Sequence, residues 1–276
     1  MARIELPESR LRTRRRRRFV RLLLVAAVLL LLLLGGLVAL SHARFLRVDT
    51  IAVSGTDQIA SSTVEAFVRE RLSGSWYYLF ARDNIFSYPK QQLTADLGVA
   101  YPSFKSVDVH AEDFRTVAVV VVERQPTALW CSLSDLGASA LCKFMDEDGV
   151  VYAPAPAGSE AAYVQYFGVA TPTVESPGAS QYLRMEQFRS LVTLVGALSG
   201  VIVASTVERV SVDDNGDARL TFQNGFILVC NLSEAGGDVF ERFTLALKSS
   251  PFAGRALGDF EYLDLRFGDK LYYKLQ

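Results

Sequence analysis

Leu22 to Leu40 reads LLLVAAVLLLLLLGGLVAL, nineteen residues without a charge. At about 1.5 Å of rise per residue, a helix of this length reaches roughly 28 Å, close to the hydrocarbon thickness of a bilayer. Arg14-Arg15-Arg16-Arg17-Arg18 and then Arg21 lie immediately before it. A basic flank is retained on the cytoplasmic side, so the N-terminus is expected inside and the chain after Ser41 outside. A cleaved signal peptide is the rival reading, since Ser41-His42-Ala43 resembles a small-residue cleavage site. Signal h-regions usually run about 7–15 residues. This one is longer, which favours an uncleaved single-pass anchor.

The net charge of −1 conceals a division. Residues 1–21 hold nine Arg against Glu5 and Glu8, a balance of +7 that leaves −8 for the remaining chain. Beside a membrane span, a basic tail reads as a topology signal and a contact for anionic lipid. The acidic remainder argues against nucleic acid as a partner. Glycine, proline and aromatic contents are those of a folded protein rather than a disordered stalk. Three cysteines are too few for a disulfide-built scaffold, although an exported domain can oxidise one pair.

Working outward from the span, Met1 to Arg18 has no apolar periodicity and is expected to be disordered. A strand follows from Leu46 to Gly55, with Leu46, Val48, Ile51 and Val53 nearly alternating. Ser62-Thr63-Val64-Glu65 has capping-box spacing. Val64, Phe67, Val68 and Leu72 then continue at helical spacing up to Gly74. A second helix is expected from Pro89 to about Val99, with Leu93 and Leu97 four apart. Phe104 to His110 reads as a strand, and Phe114 to Glu123 as a central one. Strand, helix, helix, strand, strand is the element order of a POTRA domain, a small module that binds polypeptide segments.

Gln125-Pro126 is the expected boundary. Beyond it come short strands at Ala128–Ser132, Leu141–Asp146, Val150–Ala153, Ala162–Val169, Val207–Val212, Ala218–Gln223 and Phe226–Leu232. Asp148-Gly149, Asp213-Asp214-Asn215-Gly216 and Asn224-Gly225 supply turn signals. Helices are expected at Arg184–Leu198, with Met185, Phe188, Leu191, Val192, Val195 and Leu198 on one face, and at Asp238–Leu247, with Val239, Phe243 and Leu247. The fold class is therefore α+β, with the second domain mostly antiparallel sheet and its helices on one face.

In this order the residues resemble the bacterial cell-division family FtsQ, called DivIB in Gram-positive bacteria. Tyr101-Pro102-Ser103-Phe104-Lys105-Ser106-Val107 is similar to the family's proline-centred entry to a strand. Val122-Glu123-Arg124-Gln125-Pro126 is similar to its "V-E-R-x-P" junction, followed by Asp146-Glu147-Asp148-Gly149-Val150-Val151-Tyr152. Tyr262-Leu263-Asp264-Leu265-Arg266-Phe267 is similar to its terminal "Y-V-D-L-R-Y". The Cys131 and Cys142 pair departs from the pattern.

The resemblance implies a basic cytoplasmic tail at 1–21, a transmembrane helix at 22–41, a POTRA-like βααββ domain at 45–125 and an FtsQ/DivIB-like β domain at 126–276. It also implies a cell-membrane location at the division septum and a scaffold without enzymatic activity or cofactors. The partners it implies are FtsL and FtsB (DivIC) coiled-coil proteins, which in the family pair with the last strand of the β domain by β-augmentation. On that basis the partner-binding candidates are Tyr262, Leu263, Asp264, Leu265, Arg266, Phe267, Tyr272 and Tyr273. Leu263, Leu265 and Phe267 would share one strand face, and Tyr262, Asp264 and Arg266 the other. Gly268-Asp269 would make the two-residue turn that returns the chain through Leu271 and Tyr273. An Arg266–Asp264 pair would be a surface salt bridge worth less than roughly 1 kcal/mol. The competing reading is a terminal strand whose tyrosines only finish the core.

Cys131 and Cys142 are a candidate disulfide across a hairpin centred between Leu136 and Gly137, the alternative being two reduced buried thiols. Cys230 reads as a small core residue. Catalysis has little support: the two histidines are His42 and His110, and zinc, redox, acyl-transfer and P-loop motifs do not occur. Asp146-Glu147-Asp148-Gly149 lacks calcium-loop spacing and reads as a hairpin turn. Asp213-Asp214-Asn215-Gly216-Asp217 likewise reads as a solvated turn. No metal and no small-molecule substrate are expected. Two rival functions are an export or envelope-assembly factor, which would usually carry tandem POTRA copies and a β-barrel, and a membrane-anchored cell-wall hydrolase, which would need a catalytic cleft.

Overall fold

A computed structural model describes residues 10–132, 142–172, 178–202, 205–268 and 270–276. The protein is α+β, with one N-terminal apolar helix and a large, mostly antiparallel sheet. Its chain forms two compact units, Met1–Thr94 with Asp108–Val120, and Ala95–Val107 with Val121–Gln276.

Helix α1 runs from Arg10 to Ser41. Its Arg18–Ser41 portion, 24 residues, is long and apolar enough to cross a membrane. The expectation of a disordered tail up to Arg18 is corrected here, because Arg10 to Arg18 continue the helix. Arginine is a good helix former, and an existing helix adds residues far more readily than it nucleates. The rest of the tail, residues 1–9, lies outside the described residues.

After a 3₁₀ turn at Arg44–Leu46 come β1 (Thr50–Ser54), α2 (Ser61–Leu72), a short hairpin of β2 (Ser75–Trp76) and β3 (Phe80–Ala81), α3 (Lys90–Ala100), β4 (Phe104–Ala111) and β5 (Thr116–Glu123). The expected strand from Leu46 thus begins only at Thr50. The helix of the expected capping box starts earlier: Ala60 is the cap residue, and Ser61 and Ser62 are already helical. Extended backbone at Ala60 and the bond from Thr63 N to Ala60 O at 2.9 Å close the first turn instead. Val64, Val68 and Leu72 are buried, as are Leu93 and Leu97, at the spacing that an amphipathic helix requires. These strands form a sheet of order β1-β5-β4, in which β5 is central and runs parallel to β1, with Ile51 opposite Val117 and Val53 opposite Val119.

In the second unit follow β6 (Ala128–Cys131), β7 (Cys142–Met145), β8 (Val150–Pro154), β9 (Gln165–Phe167), β10 (Thr171–Pro172), β11 (Ser180–Gln181), α4 (Met185–Val201), β12 (Val207–Val212), β13 (Asp217–Phe222), β14 (Ile227–Asn231), α5 (Gly236–Lys248), β15 (Phe260–Phe267) and β16 (Lys270–Leu275). They build an eleven-stranded sheet in the order β10-β11-β8-β7-β6-β9-β12-β13-β14-β15-β16. The pairs β6 with β9, β9 with β12 and β14 with β15 are parallel, and the others antiparallel. Alternation sends Val210, Val212, Ala218, Leu220, Phe222, Leu228 and Cys230 to the helix side, where they pack with Phe188, Leu194, Leu198, Val239 and Phe243.

Two helical faces differ from expectation. On α4, Leu194 is buried while Met185 and Val192 are exposed; on α5, Ala246 is buried as well, and Leu247 packs partly buried against the same core. The two helices approach closely where Gly236 N donates to Ser190 Oγ at 2.9 Å, and a Cβ at Gly236 would stand 2.7 Å from Ser190 O. Only glycine fits there.

Cys131 and Cys142 lie opposite each other in the β6–β7 register with their Cα atoms 4.1 Å apart, and their sulfurs are bonded. The centre of that hairpin, Leu136-Gly137, and the expected first strand residue Leu141 lie outside the described residues. Cys230 is a free, buried thiol, and burial pushes its pKa up to about 12. Thiol titration of the denatured, unreduced protein is therefore expected to find one reactive cysteine, and three would contradict the bridge. Reduction should destabilise the second unit by about 3 kcal/mol in the chain-entropy model.

Candidate protein-binding edge

The sheet has two ends of unlike character. At one end β10 is two residues long and contains a proline, which blunts an edge. At the other, β16 is six residues long and pairs only with β15 among the described residues, so its outer backbone N–H and C=O groups face away from the sheet. It has no proline, and Lys274 is paired with Glu261 on the neighbouring strand.

The hairpin leading to this edge is set locally. Gly268 has φ +64°, a left-handed conformation that glycine adopts without strain, and Phe267 pairs with Lys270 across the two-residue connection. Asp269, the other half of the expected turn, lies outside the described residues. The β15–β16 register shifts between Asp264 and Phe267. A bulge re-aims the side chains that follow it. Leu263 and Leu265 therefore enter the core, whereas Phe267, expected on the same face, turns to solvent and is 51% exposed.

The candidate residues divide accordingly. β15 is paired on both sides at Tyr262, Leu263 and Asp264, by β14 and by β16, so the backbone there has no open edge. Leu263, Asp264 and Leu265 are buried, and Tyr262 and Arg266 are half-buried. Phe267 and Tyr272, each 51% exposed, meet edge to face with ring centroids 5.1 Å apart. Tyr273 is partly exposed and packs on Phe252 and Phe260 at 5.3 and 6.1 Å, so it serves the core as well as the surface.

Arg266 does more than form a surface pair. Its Nε donates to Asp264 Oδ1 at 3.0 Å, its Nη2 to Asp264 Oδ2 at 2.7 Å, and its Nη1 reaches Asp217 on β13. Asn231 Nδ2 donates to Asp217 Oδ1 at 2.6 Å. The network ties β13, β14 and β15 together directly beneath the open strand. It corrects the reading of Arg266–Asp264 as a solvated salt bridge, and it draws Asp217 out of the turn sequence in which it sits. Asp264 is pulled upward by burial, but the hydrogen bonds from Arg266 outweigh this and hold its carboxyl below the usual range. Asp217 is also lowered, by the Asn231 hydrogen bond and then by Arg266. A carboxyl whose folded pKa is depressed contributes stability that is complete above its unfolded value of about 3.9 and disappears on acidification. Denaturation midpoints should accordingly fall as the pH drops from about 5 towards 3, and Arg266→Ala should flatten that fall.

A groove of about 240 Å³ lies beside the edge, lined by Arg242 and Leu245 of α5, by Ser249 just after it, and by Leu265, Gly268 and Leu271 of the hairpin. Arg242 Nη1 donates to Gly268 O at 2.9 Å and holds the turn against the helix. Sequence reasoning missed this groove, although the exposed Leu245, outside the Val239–Phe243 face, was its signal.

The sequence motifs at 122–126 and 146–149 meet in a structural cluster. Arg124 and Asp146 form a buried ion pair. Asp146 Oδ1 also accepts the N–H groups of Asp148 and Val150, each at 2.9 Å, and Gly149 N donates to Asp146 O at 3.1 Å. Asp146-Glu147-Asp148-Gly149 is thus the β7–β8 turn. Lys105 and Arg189 both pair with Asp148. The hydrogen bond from Lys105, ahead of that from Arg189, keeps the Asp148 carboxyl low.

No known protein family matches this chain, and none of the curated proteins is significantly similar to it.

Proposed function

We propose that this chain is a non-enzymatic scaffold of the bacterial division machinery, of the FtsQ/DivIB type. In this reading α1 anchors it in the cell membrane at the septum, with the arginine-rich end in the cytoplasm and the sheet outside. The open strand β16 receives an added strand from an FtsL- or FtsB/DivIC-like partner. Backbone hydrogen bonds would supply affinity, and Tyr272 and Phe267, with the groove beside α5, would supply choice of partner.

The observation that carries this reading is the contrast between the two ends of the sheet: one is blunted by a proline, whereas the other offers six residues with exposed aromatic side chains. The order β1-α2-α3-β4-β5 with a central β5 supports a POTRA-like reading of residues 45–125, although the extra hairpin β2–β3 interrupts it. A fluorescent fusion expressed in the native host tests the proposal: a band at midcell, with filaments after depletion, is expected. Uniform membrane fluorescence with normal division after depletion would count against it.

A further inference from the structure

The first unit exposes a set of aromatic residues that neither its core nor the sheet edge uses. The β2–β3 hairpin turns through Tyr77 and Tyr78, which are 87% and 97% exposed, and Leu79 N donates to Trp76 O at 2.9 Å across the turn. Both tyrosines have left-handed backbone, with φ of 48° and 62°. A turn with two such residues ordinarily takes Asn-Gly, so Tyr-Tyr is a strained choice. Phe45, Phe86 and Phe114 are each more than half exposed as well, and the rings of Phe86 and Phe114 lie 6.2 Å apart.

The β2–β3 hairpin and Phe86 lie at the end of α1. Ser41 Oγ accepts from Ala81 N at 2.9 Å, Ser41 O accepts from Asn84 Nδ2 at 3.0 Å, and His42 Nε2 lies 2.9 Å from Leu79 O. Leu37 and Leu40 of the apolar helix share a groove of about 240 Å³ with Phe80 and Phe86. Arg18–Ser41, at about 1.5 Å per residue, reaches roughly 36 Å against a hydrocarbon core of about 30 Å. The last turn of the helix therefore emerges at headgroup level, and the hairpin bonded to it is held at that level too.

We infer that Trp76–Leu79, with Phe45, Phe86 and Phe114, forms a lipid-binding face seated in the glycerophospholipid leaflet at the Ser41 end of α1. The inference rests on the membrane anchor of the proposed function. Tryptophan and tyrosine concentrate at this depth because their rings favour the apolar side while the N–H and O–H groups stay hydrated. The Arg82 guanidinium lies 4.8 Å over the Trp76 ring, and Arg44 is exposed in the turn after the helix, which places cations beside lipid phosphates.

The test uses the full chain in phosphatidylcholine–phosphatidylglycerol vesicles. The sequence contains two tryptophans, so Trp130→Phe leaves Trp76 as the reporter, and subtracting Trp76→Phe from the unaltered chain gives the same signal independently. Phospholipids brominated near the headgroup are expected to quench about half of the Trp76 emission, more than lipids brominated at the chain end. Tyr77→Asn with Tyr78→Gly should lose most of this quenching while the melting temperature stays level or rises, because the turn strain is relieved. Trp76 emission that ignores both lipids, in protein resistant to alkaline carbonate extraction, would overturn the inference and leave the anchor standing. Shielding of Trp76 that arises only on adding a second protein would overturn it in favour of a protein-binding face. Release of the chain by carbonate would overturn the anchor and the inference together.

Discussion

On the proposed function, a fragment beginning after Ser41 and carrying Phe267→Ala and Tyr272→Ala is expected to bind an FtsL- or FtsB-type protein about 100-fold more weakly than the unaltered fragment, a loss of roughly 2.7 kcal/mol. Both side chains are half exposed and lean on each other at the open edge. Paired aromatic residues in such a position are the kind that dominate binding energy, and β-augmentation leaves them to supply what backbone bonds cannot. Their removal should scarcely affect folding. Neither belongs to the buried core, so the cost is about 1 kcal/mol and the melting temperature should move by no more than roughly 4 °C. Titration calorimetry beside thermal denaturation separates the two roles. Equal loss of binding and stability would return these residues to the core-finishing role.

Asp146→Ala should produce the opposite pattern, a large loss of stability at a site away from any proposed contact. The substitution removes the carboxylate facing the buried Arg124 guanidinium and the acceptor of the Asp148 and Val150 amides. Breaking one side of a buried ion pair typically costs about 3–5 kcal/mol, because the remaining buried charge loses its counter-charge. Urea denaturation should show a loss of unfolding free energy of that size. Replacing Arg124 and Asp146 together with apolar residues should recover part of it, since no orphan charge remains. A shift below about 1 kcal/mol for Asp146→Ala would mean that water reaches the pair and that the cluster holds nothing together.

The elements that were legible in the sequence are those written in local chemistry. An uncharged run of nineteen residues announces α1, helical spacing announces most of α2, α4 and α5, and Asn224-Gly225 and Asp148-Gly149 announce their hairpins. The β2–β3 hairpin was not legible, because two tyrosines occupy left-handed positions where turn chemistry leads one to look for glycine or asparagine. The two-residue strands β10 and β11 are too short for any alternation to register.

The candidate edge was only partly legible. Its residues were identifiable by type, but strand order is a tertiary property, and only the topology places β15 inside the sheet and β16 at its border. Simple alternation put Phe267 with Leu263 and Leu265, and a register shift separated them. The pairing of Arg124 with Asp146, and of Arg266 with Asp217, joins residues 22 and 49 positions apart, a distance at which local pattern carries no signal.

Backbone hydrogen exchange of Lys270 to Leu275, measured on a fragment beginning after Ser41, alone and with the proposed FtsL- or FtsB-type protein bound, tests the central claim most directly. An added strand turns outward-facing amides into ladder hydrogen bonds, so exchange along β16 should slow by about 100-fold or more in the complex. Formation of the complex with the exchange of β16 unchanged would contradict the account.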